Sequence, residues 1–329
     1  MSDQESAVPP SANRTVEILT IDEHHDSQRV DNFLITHWKG VPKSHIYRLL
    51  RKGEIRVNKK RVKPETRLHS GDLLRLPPVR RAQETEQQAP SMHLLSLVES
   101  SVLYEDADFL VVNKPQGIAV HAGTGNHLGF VETLRWHYKT QGRGQAYLEL
   151  AHRIDKETSG CLVLAKNAVA LKHIQAELKA RRVTKVYQAL VHGHWPESLK
   201  MVDAPLQKIE ISAKEKVVRV SEDGKPSVTQ FRIIKRLFDL TLVEARPATG
   251  RMHQIRVHCQ HAGHPIVGDP KYTRVPGARP DSALRLCLHA AAIRFALPSD
   301  GGDLEVVAPI NPAMEATIER FSRNQQRLR

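Results

Sequence analysis

Apolar positions recur along this chain with two different periods, and each change of period marks a new element. Val30, Phe33 and Leu34 fall at helical spacing, and that run stops near Gly40. Ser44 then predicts the cap of a second helix, His45 to Lys52, whose Ile46, Leu49 and Leu50 form one apolar face. Gly53 stands at the helix-stopping position. Beyond it the pattern becomes alternation: Glu54 to Val57 and Arg61 to Lys63 flank an Asn58-Lys59 turn, which predicts a short hairpin. Gly71-Asp72 turns the chain into a strand from Leu73 to Leu76. Periodicity fails in the polar stretch after Val79, so a linker over 79–98 is expected between a small domain at 16–78 and a larger one at 99–322.

In the larger part, Leu110-Val111-Val112 predicts a strand ending in the turn Asn113-Lys114-Pro115-Gln116-Gly117. The continuous run Cys161 to Ala165, after a Ser159-Gly160 turn, reads as a buried strand. Ala168 to Arg181 is amphipathic at helical spacing, with Leu171, Ile174 and Leu178 on one face. Thr184 to His192 alternates as a strand, so Lys185 and Tyr187, two apart, project from one side. A strand is expected over Phe238 to Glu244, a turn at Pro247 to Gly250, and a helix over Arg251 to His261. His253 and Arg256, three apart, share a face of that helix. Leu286 to Phe295 closes the apolar pattern. Helices and strands mixed in this way predict an α+β protein.

Composition adds bounds to this picture. The 329 residues leave room for about two domains, and 40% hydrophobic with 26% charged residues is the balance of a globular protein. No apolar run approaches the roughly 18 residues of a membrane span. Residues 1–15 carry neither a basic start nor an apolar segment, which excludes a signal peptide and suggests a disordered leader. Cys161, Cys259 and Cys287 are odd in number and form no CxxC pair, arguing against disulfides and fitting a reducing cytoplasm.

Charge changes the picture more. The formal net charge is +13, and between Arg29 and Arg80 14 lysines and arginines stand against four acids. Lys43, Arg48, Arg51, Lys52, Lys59, Lys60 and Arg61 crowd the second helix and the hairpin. A compact module for a polyanion is expected there, ahead of a nearly neutral remainder.

Candidate chemistry centres on Leu148 to Lys166, where Asp155 lies between the cations Arg153 and Lys156. An unperturbed aspartate, with a pKa of about 3.9, is ionised at pH 7, and adjacent cations favour that form. General-acid work would need a rise of roughly three units, which nothing nearby supplies. Asp155 is therefore expected as a nucleophile or base. The glycine-rich loop His121 to Gly125 offers backbone amides to phosphate. His258, His261 and His264, each three apart, invite a zinc reading, but no carboxylate or thiolate completes a ligand set, so no metal is expected.

Two resemblances follow. RVDNFL, PKSHIYRLLRKGEIRVN and the later Gly71-Asp72 resemble the S4 RNA-binding domain. The NKPQG turn at Asn113, AHRIDKETSG with Asp155, the Lys185/Tyr187 pair, GRMHQIRVH ending at His258, and GHPIVGD occur in order over residues of about 100 to 310. Together they are similar to the RluA-type pseudouridine synthases, nearest to the RluC branch, with RluD as the alternative. The resemblance implies a mainly antiparallel catalytic sheet, isomerisation of uridine to pseudouridine in large-subunit ribosomal RNA, and no cofactor. It implies Asp155 as the catalytic carboxylate, Arg256 paired with it, and Tyr187 stacked on the uracil. Arg153 would fill the gap left by the extruded base or hold a neighbouring phosphate, and Lys185 would contact RNA. Ile154 replaces the usual leucine, Gln116 a common serine and Thr273 a common glycine; none removes a reacting group. A non-catalytic S4 assembly factor is the alternative of another class, and a nuclease a third. No protein partner is expected.

Overall fold

The computed structural model describes residues 16–38, 40–79, 89–121, 128–142, 147–212, 216–273, 285–298 and 302–327. The leader, the linker residues 80–88 and loop residues 122–125 discussed above lie outside this set. The chain divides into two compact units between Ala89 and Pro90. Among the described residues no helix is long and apolar enough to cross a membrane.

The first unit comprises β1 (Glu17–Thr20), α1 (Val30–His37), α2 (Lys43–Lys52), β2 (Arg56–Val57), β3 (Lys60–Arg61) and β4 (Leu73–Leu76), with sheet order β1-β4-β2-β3. Val30, Leu34, Ile46, Ile55, Leu68 and Leu74 are all fully buried and make its core. Ser44 is not the cap of α2. The helix starts one residue before it, with Pro42 at the N-cap and no side-chain cap bond, because the Pro42 carbonyl already accepts from the amides of His45 and Ile46. Gly53 stops α2 at φ +72°, its amide reaching the Leu49 and Leu50 carbonyls. Asn58 and Lys59 are both left-handed, at φ +48° and +65°, as a tight two-residue hairpin requires. The Asn58 side chain also bonds the Leu73 amide (2.9 Å) and Asp72 (2.7 Å), tying the turn to β4.

The second unit begins with α3 (Met92–Glu99), which occupies the end of the stretch expected to be linker. Ser91 caps it, accepting from the Leu94 amide at 3.2 Å, and Val98 is fully buried. Then follow β5 (Val102–Glu105), β6 (Phe109–Lys114), α4 (Phe130–Thr140), β7 (Glu149–Leu150), β8 (Ser159–Ala165), α5 (Ala168–Lys179) and β9 (Thr184–His192). The rest is β10 (Met201–Asp203), β11 (Leu206–Glu210), β12 (Lys216–Val220), β13 (Val228–Arg236), β14 (Leu240–Pro247), α6 (Gln254–His261), β15 (Leu288–Ala296), β16 (Asp303–Val307) and α7 (Pro312–Arg327).

One mixed sheet runs β10-β13-β14-β9-β15-β8-β6-β5, with β16 added on β15 and β7 on β8, while β11 and β12 form a separate hairpin. Only the β15–β8 ladder is parallel among those described. The run from Cys161 to Ala165 is apolar throughout because β8 is covered on both faces. Leu162 and Leu164 join one cluster with α4, and Cys161, Val163 and Ala165 join another with α5. Ser159 and Gly160 are not a turn; they are the first residues of β8. Gly160 sits at φ +110°, and a Cβ there would run into the Ala290 carbonyl of β15. β14 starts at Leu240 and continues to Pro247, because Phe238 is exposed outside the sheet.

Candidate active site

Asp155 lies on the loop between β7 and β8, and that loop is held from behind by the turn after β6. Lys114, fully buried, donates its ammonium to the carbonyls of Pro115 (2.7 Å), Ile118 (2.9 Å) and Lys156 (3.1 Å). The Gly117 amide reaches the same Lys156 carbonyl at 3.0 Å, and the Gln116 amide nitrogen donates to the Glu157 carbonyl at 2.9 Å. Burial pushes the Lys114 pKa down to about 7, but three carbonyl acceptors match the three N–H bonds of the charged form. The NKPQG turn thus has a structural task, fixing the backbone just after Asp155.

Asp155 shares one cavity of about 480 Å³ with Tyr187 and Arg256, and Arg153, Lys185 and Leu288 also line it. Strand β15 lies between β8 and β9, so the cavity crosses the middle of the sheet. Lys185 and Tyr187 both face it, as their spacing on β9 requires. Burial raises the pKa of Tyr187, with the Asp155 charge adding to the effect, so its phenol is neutral at pH 7. Its hydroxyl has no hydrogen-bond partner among the described residues. Burial lowers the pKa of Lys185, and among the described residues no acid opposes it.

Arg256 comes from α6 and is almost wholly buried. It donates Nε and Nη2 to the two oxygens of Asp269, each at 2.8 Å, and its Nη1 lies 3.4 Å from Asp155 Oδ2. The guanidinium also sits 5.0 Å from the ring centre of Tyr272. Burial works to lower its pKa, but the bonds and charge of Asp269 carry it upward. Asp269 is completely enclosed and accepts further bonds from the amides of Lys271 and Tyr272. Asp155, with 27% of its side chain exposed, touches Arg256 through Oδ2 alone; Oδ1 has no partner among the described residues. The result is an anchored carboxylate with an uncommitted oxygen, the chemistry of a nucleophile or base.

Asp155 meets distant Arg256, the partner the family resemblance implied; adjacency along the chain alone pointed to Arg153 and Lys156. Sequence reasoning missed His253. The helix expected from Arg251 starts at Gln254, and His253 precedes it in a left-handed conformation at φ +53°. It therefore reaches the site from the cap, not from a helical face shared with Arg256. Its Nδ1 is 2.7 Å from the Tyr272 hydroxyl and its Nε2 is 3.7 Å from Asp155 Oδ2. Burial lowers its pKa, leaving a neutral ring at pH 7. Asp269 and Tyr272 were missed as site residues too; the only signal was their place in and just after GHPIVGD.

The histidines of the zinc reading do not converge. Both nitrogens of buried His258 are engaged, with Thr229 and the Ala204 carbonyl, and His264 bonds the His192 carbonyl. No group of three metal-binding side chains occurs among the described residues. In the first unit, Lys43, Arg48, Arg51, Lys52, Lys59, Lys60 and Arg61 are all exposed, on α2 and the β2–β3 hairpin.

The RNA pseudouridylate synthase profile matches residues 108–261, and the S4 domain profile matches 28–74. A protein of Pasteurella multocida (strain Pm70) named ribosomal large subunit pseudouridine synthase C is 48% identical over 312 residues, spanning 93% of this chain and 94% of the relative. The chain belongs to the RNA pseudouridylate synthase family. A relative of the same name from Escherichia coli (strain K12) is 45% identical over 93% of this chain and 97% of its own length. The solved structure of human RNA pseudouridylate synthase domain containing 4 superposes with a TM-score of 0.58 at 28% identity, covering 70% of this chain and 95% of that one. The α+β architecture, an S4 domain followed by a mixed-sheet synthase domain, is thus the family's own.

Proposed function

We propose that this pseudouridine synthase isomerises uridines of 23S, large-subunit ribosomal RNA, as an enzyme of the RluC type, with Asp155 as the catalytic carboxylate. The observation that carries the reading is the meeting of Asp155, Tyr187 and Arg256, from three separated motifs, in one cavity of about 480 Å³. The cavity is of a size to hold a small-molecule-sized group such as a nucleoside. Isomerisation breaks N1–C1′, turns the base over and joins C5 to C1′. Asp155 attacks C1′ or removes the 2′ proton to give a glycal; in either route the C5 proton ends on nitrogen and mass is unchanged. Arg256, held by Asp269, orients the carboxylate. Tyr187 stacks on the uracil, and its hydroxyl helps take the C5 proton while its own passes to the uracil nitrogen, so the phenol ends neutral.

The target base must leave its stack, at a cost of a few kcal/mol. Arg153 on the cavity wall is placed to fill the gap or hold the adjacent phosphate, and Lys185 to contact the strand. The S4 module within 16–78 offsets the cost through phosphate contacts from Lys43, Arg48, Arg51, Lys52, Lys59, Lys60 and Arg61, and residues 99–322 carry the chemistry. The relatives' name favours RluC over RluD chemistry, and the cytoplasm is the expected place of action. The test is to map pseudouridine in ribosomal RNA from cells with and without the protein, by carbodiimide-blocked primer extension. Loss of particular large-subunit stops is expected; an unchanged map would leave only the binding factor.

A further inference from the structure

The cavity around Asp155 does not end at Lys185. A second hollow of about 300 Å³ continues from it, sharing Lys185, Gly250 and Arg251 and reaching Lys179 and Arg181 at the end of α5. Among the described residues four cations line this hollow and no acid does. None of the four has a carboxylate partner among the described residues. The contrast with the next residue is informative: Arg182, outside the lining, is held by Glu177 through both carboxylate oxygens.

The hollow is built by the backbone. Arg181 is left-handed at φ +60°, and the turn it makes is closed by amide bonds from Arg181 to Leu178 and from Arg182 to Glu177. That turn sets Lys179 and Arg181 at the start of β9, beside Lys185. On the far side the wall is Gly250, which both hollows share. A half-buried ammonium with no counter-ion among the described residues is an incomplete electrostatic site, and an anion completes it. A strand whose base occupies the first cavity must carry its sugar-phosphate out past the shared wall, where Lys185 and Arg251 belong to both hollows.

We propose that this second hollow is a phosphate subsite, taking the phosphodiesters that adjoin the extruded uridine on one side. The proposal rests on the reading of Asp155 as the uridine site. Lys179 and Arg181 contact only these phosphates and serve to position the strand, not to react.

Two measurements test it. Binding is measured with a short oligouridylate, native or with neutral methylphosphonate linkages, and turnover with large-subunit RNA. Lys179 and Arg181 are exposed and outside the Asp155 cavity, so the double variant Lys179→Gln/Arg181→Gln should fold normally. It is expected to bind the native oligouridylate roughly tenfold more weakly and to lower the slope of log K against log salt by about 1.4, near 0.7 per charge on a single strand. Its kcat at saturating RNA should equal that of the parent, with only KM raised. On the methylphosphonate probe the parent and the variant should bind alike. Arg294→Gln, at an exposed arginine paired with Asp303, should change none of these. Unaltered affinity and slope in the double variant, or an equal loss on both probes, overturns the subsite. If the parent produces no pseudouridine, the reading of Asp155 falls, while the binding comparison, which needs no turnover, still decides the subsite.

Discussion

The N-terminal unit holds its cations in the open, on one helix and one hairpin, whereas the catalytic unit encloses its decisive cation, Arg256, against fully buried Asp269. On the proposed reading the open cations meet a polyanion one by one, each contact screened by salt and replaceable by its neighbours. The enclosed pair behaves otherwise. Its partners were desolvated on folding, so removing either leaves an uncompensated charge inside the protein. One region is tolerant and graded, the other is all-or-none. The difference follows from dielectric environment more than from the kinds of residue used.

This contrast can be broken most directly at the site itself. Asp155→Asn keeps the shape and removes the charge, so it should abolish pseudouridine formation while leaving RNA affinity unaltered; appreciable residual turnover would count decisively against the proposed role. Asp269→Ala strands Arg256 and should cost about 3–5 kcal/mol in urea denaturation, along with most of the activity. A loss below about 1 kcal/mol would put the pair in the same class as surface ion pairs. Tyr187→Phe keeps the stacking face and should bind RNA normally but turn over about 100-fold more slowly. A parental rate would make the hydroxyl idle.

A pH measurement sharpens the comparison from the stability side. His152 accepts the Val163 amide through Nε2 at 3.2 Å, and burial, helped by the Lys185 charge, pushes its pKa down to about 4. The unfolded histidine, near 6.5, takes up a proton as pH falls while the folded one stays neutral. Stability should therefore hold above pH 6.5 and fall as pH drops towards 4, by up to roughly 3 kcal/mol. His152→Gln should flatten that limb in denaturation midpoints taken across the range. The smallest effects belong to the S4 cations. Single changes such as Lys60→Gln should weaken RNA binding only a few-fold and lower the salt slope by about 0.7–0.9 each. A single exposed cation that abolished binding would erase the distinction between the two regions.

Several elements were legible in the sequence because short-range forces decide them. The helix α2 and its stop at Gly53, the left-handed Asn58-Lys59 turn and the strand β9 all follow from spacing and turn chemistry. Ser44 misled because a proline carbonyl two residues earlier had already taken the first helical bonds. Ser159-Gly160 looked like a turn, since Gly beside Ser usually marks one. Here the glycine answers to a neighbouring strand, whose Ala290 carbonyl leaves no space for a Cβ. The helix α3 was hidden by its brevity and by the polar stretch before it.

By itself the sequence determined which motifs the chain carries and that a carboxylate stands at 155 between two cations, because residue type, spacing and adjacent charge are local properties. It also located the basic module, since a surplus of ten positive charges within a short segment needs no coordinates to find. Tertiary structure supplied the geometry: Asp155 meets Arg256, as the family resemblance implied, and also His253, which no reading of the sequence put there, with Asp269 and Tyr272 standing behind them. It alone decided that a second, acid-free hollow opens beside the first. Asp155 lies 101 positions from Arg256, and Arg256 and His253 lie 13 and 19 from Asp269 and Tyr272. Which buried charge finds which partner is settled by how the strands stack into one sheet, and no periodicity along the chain records it.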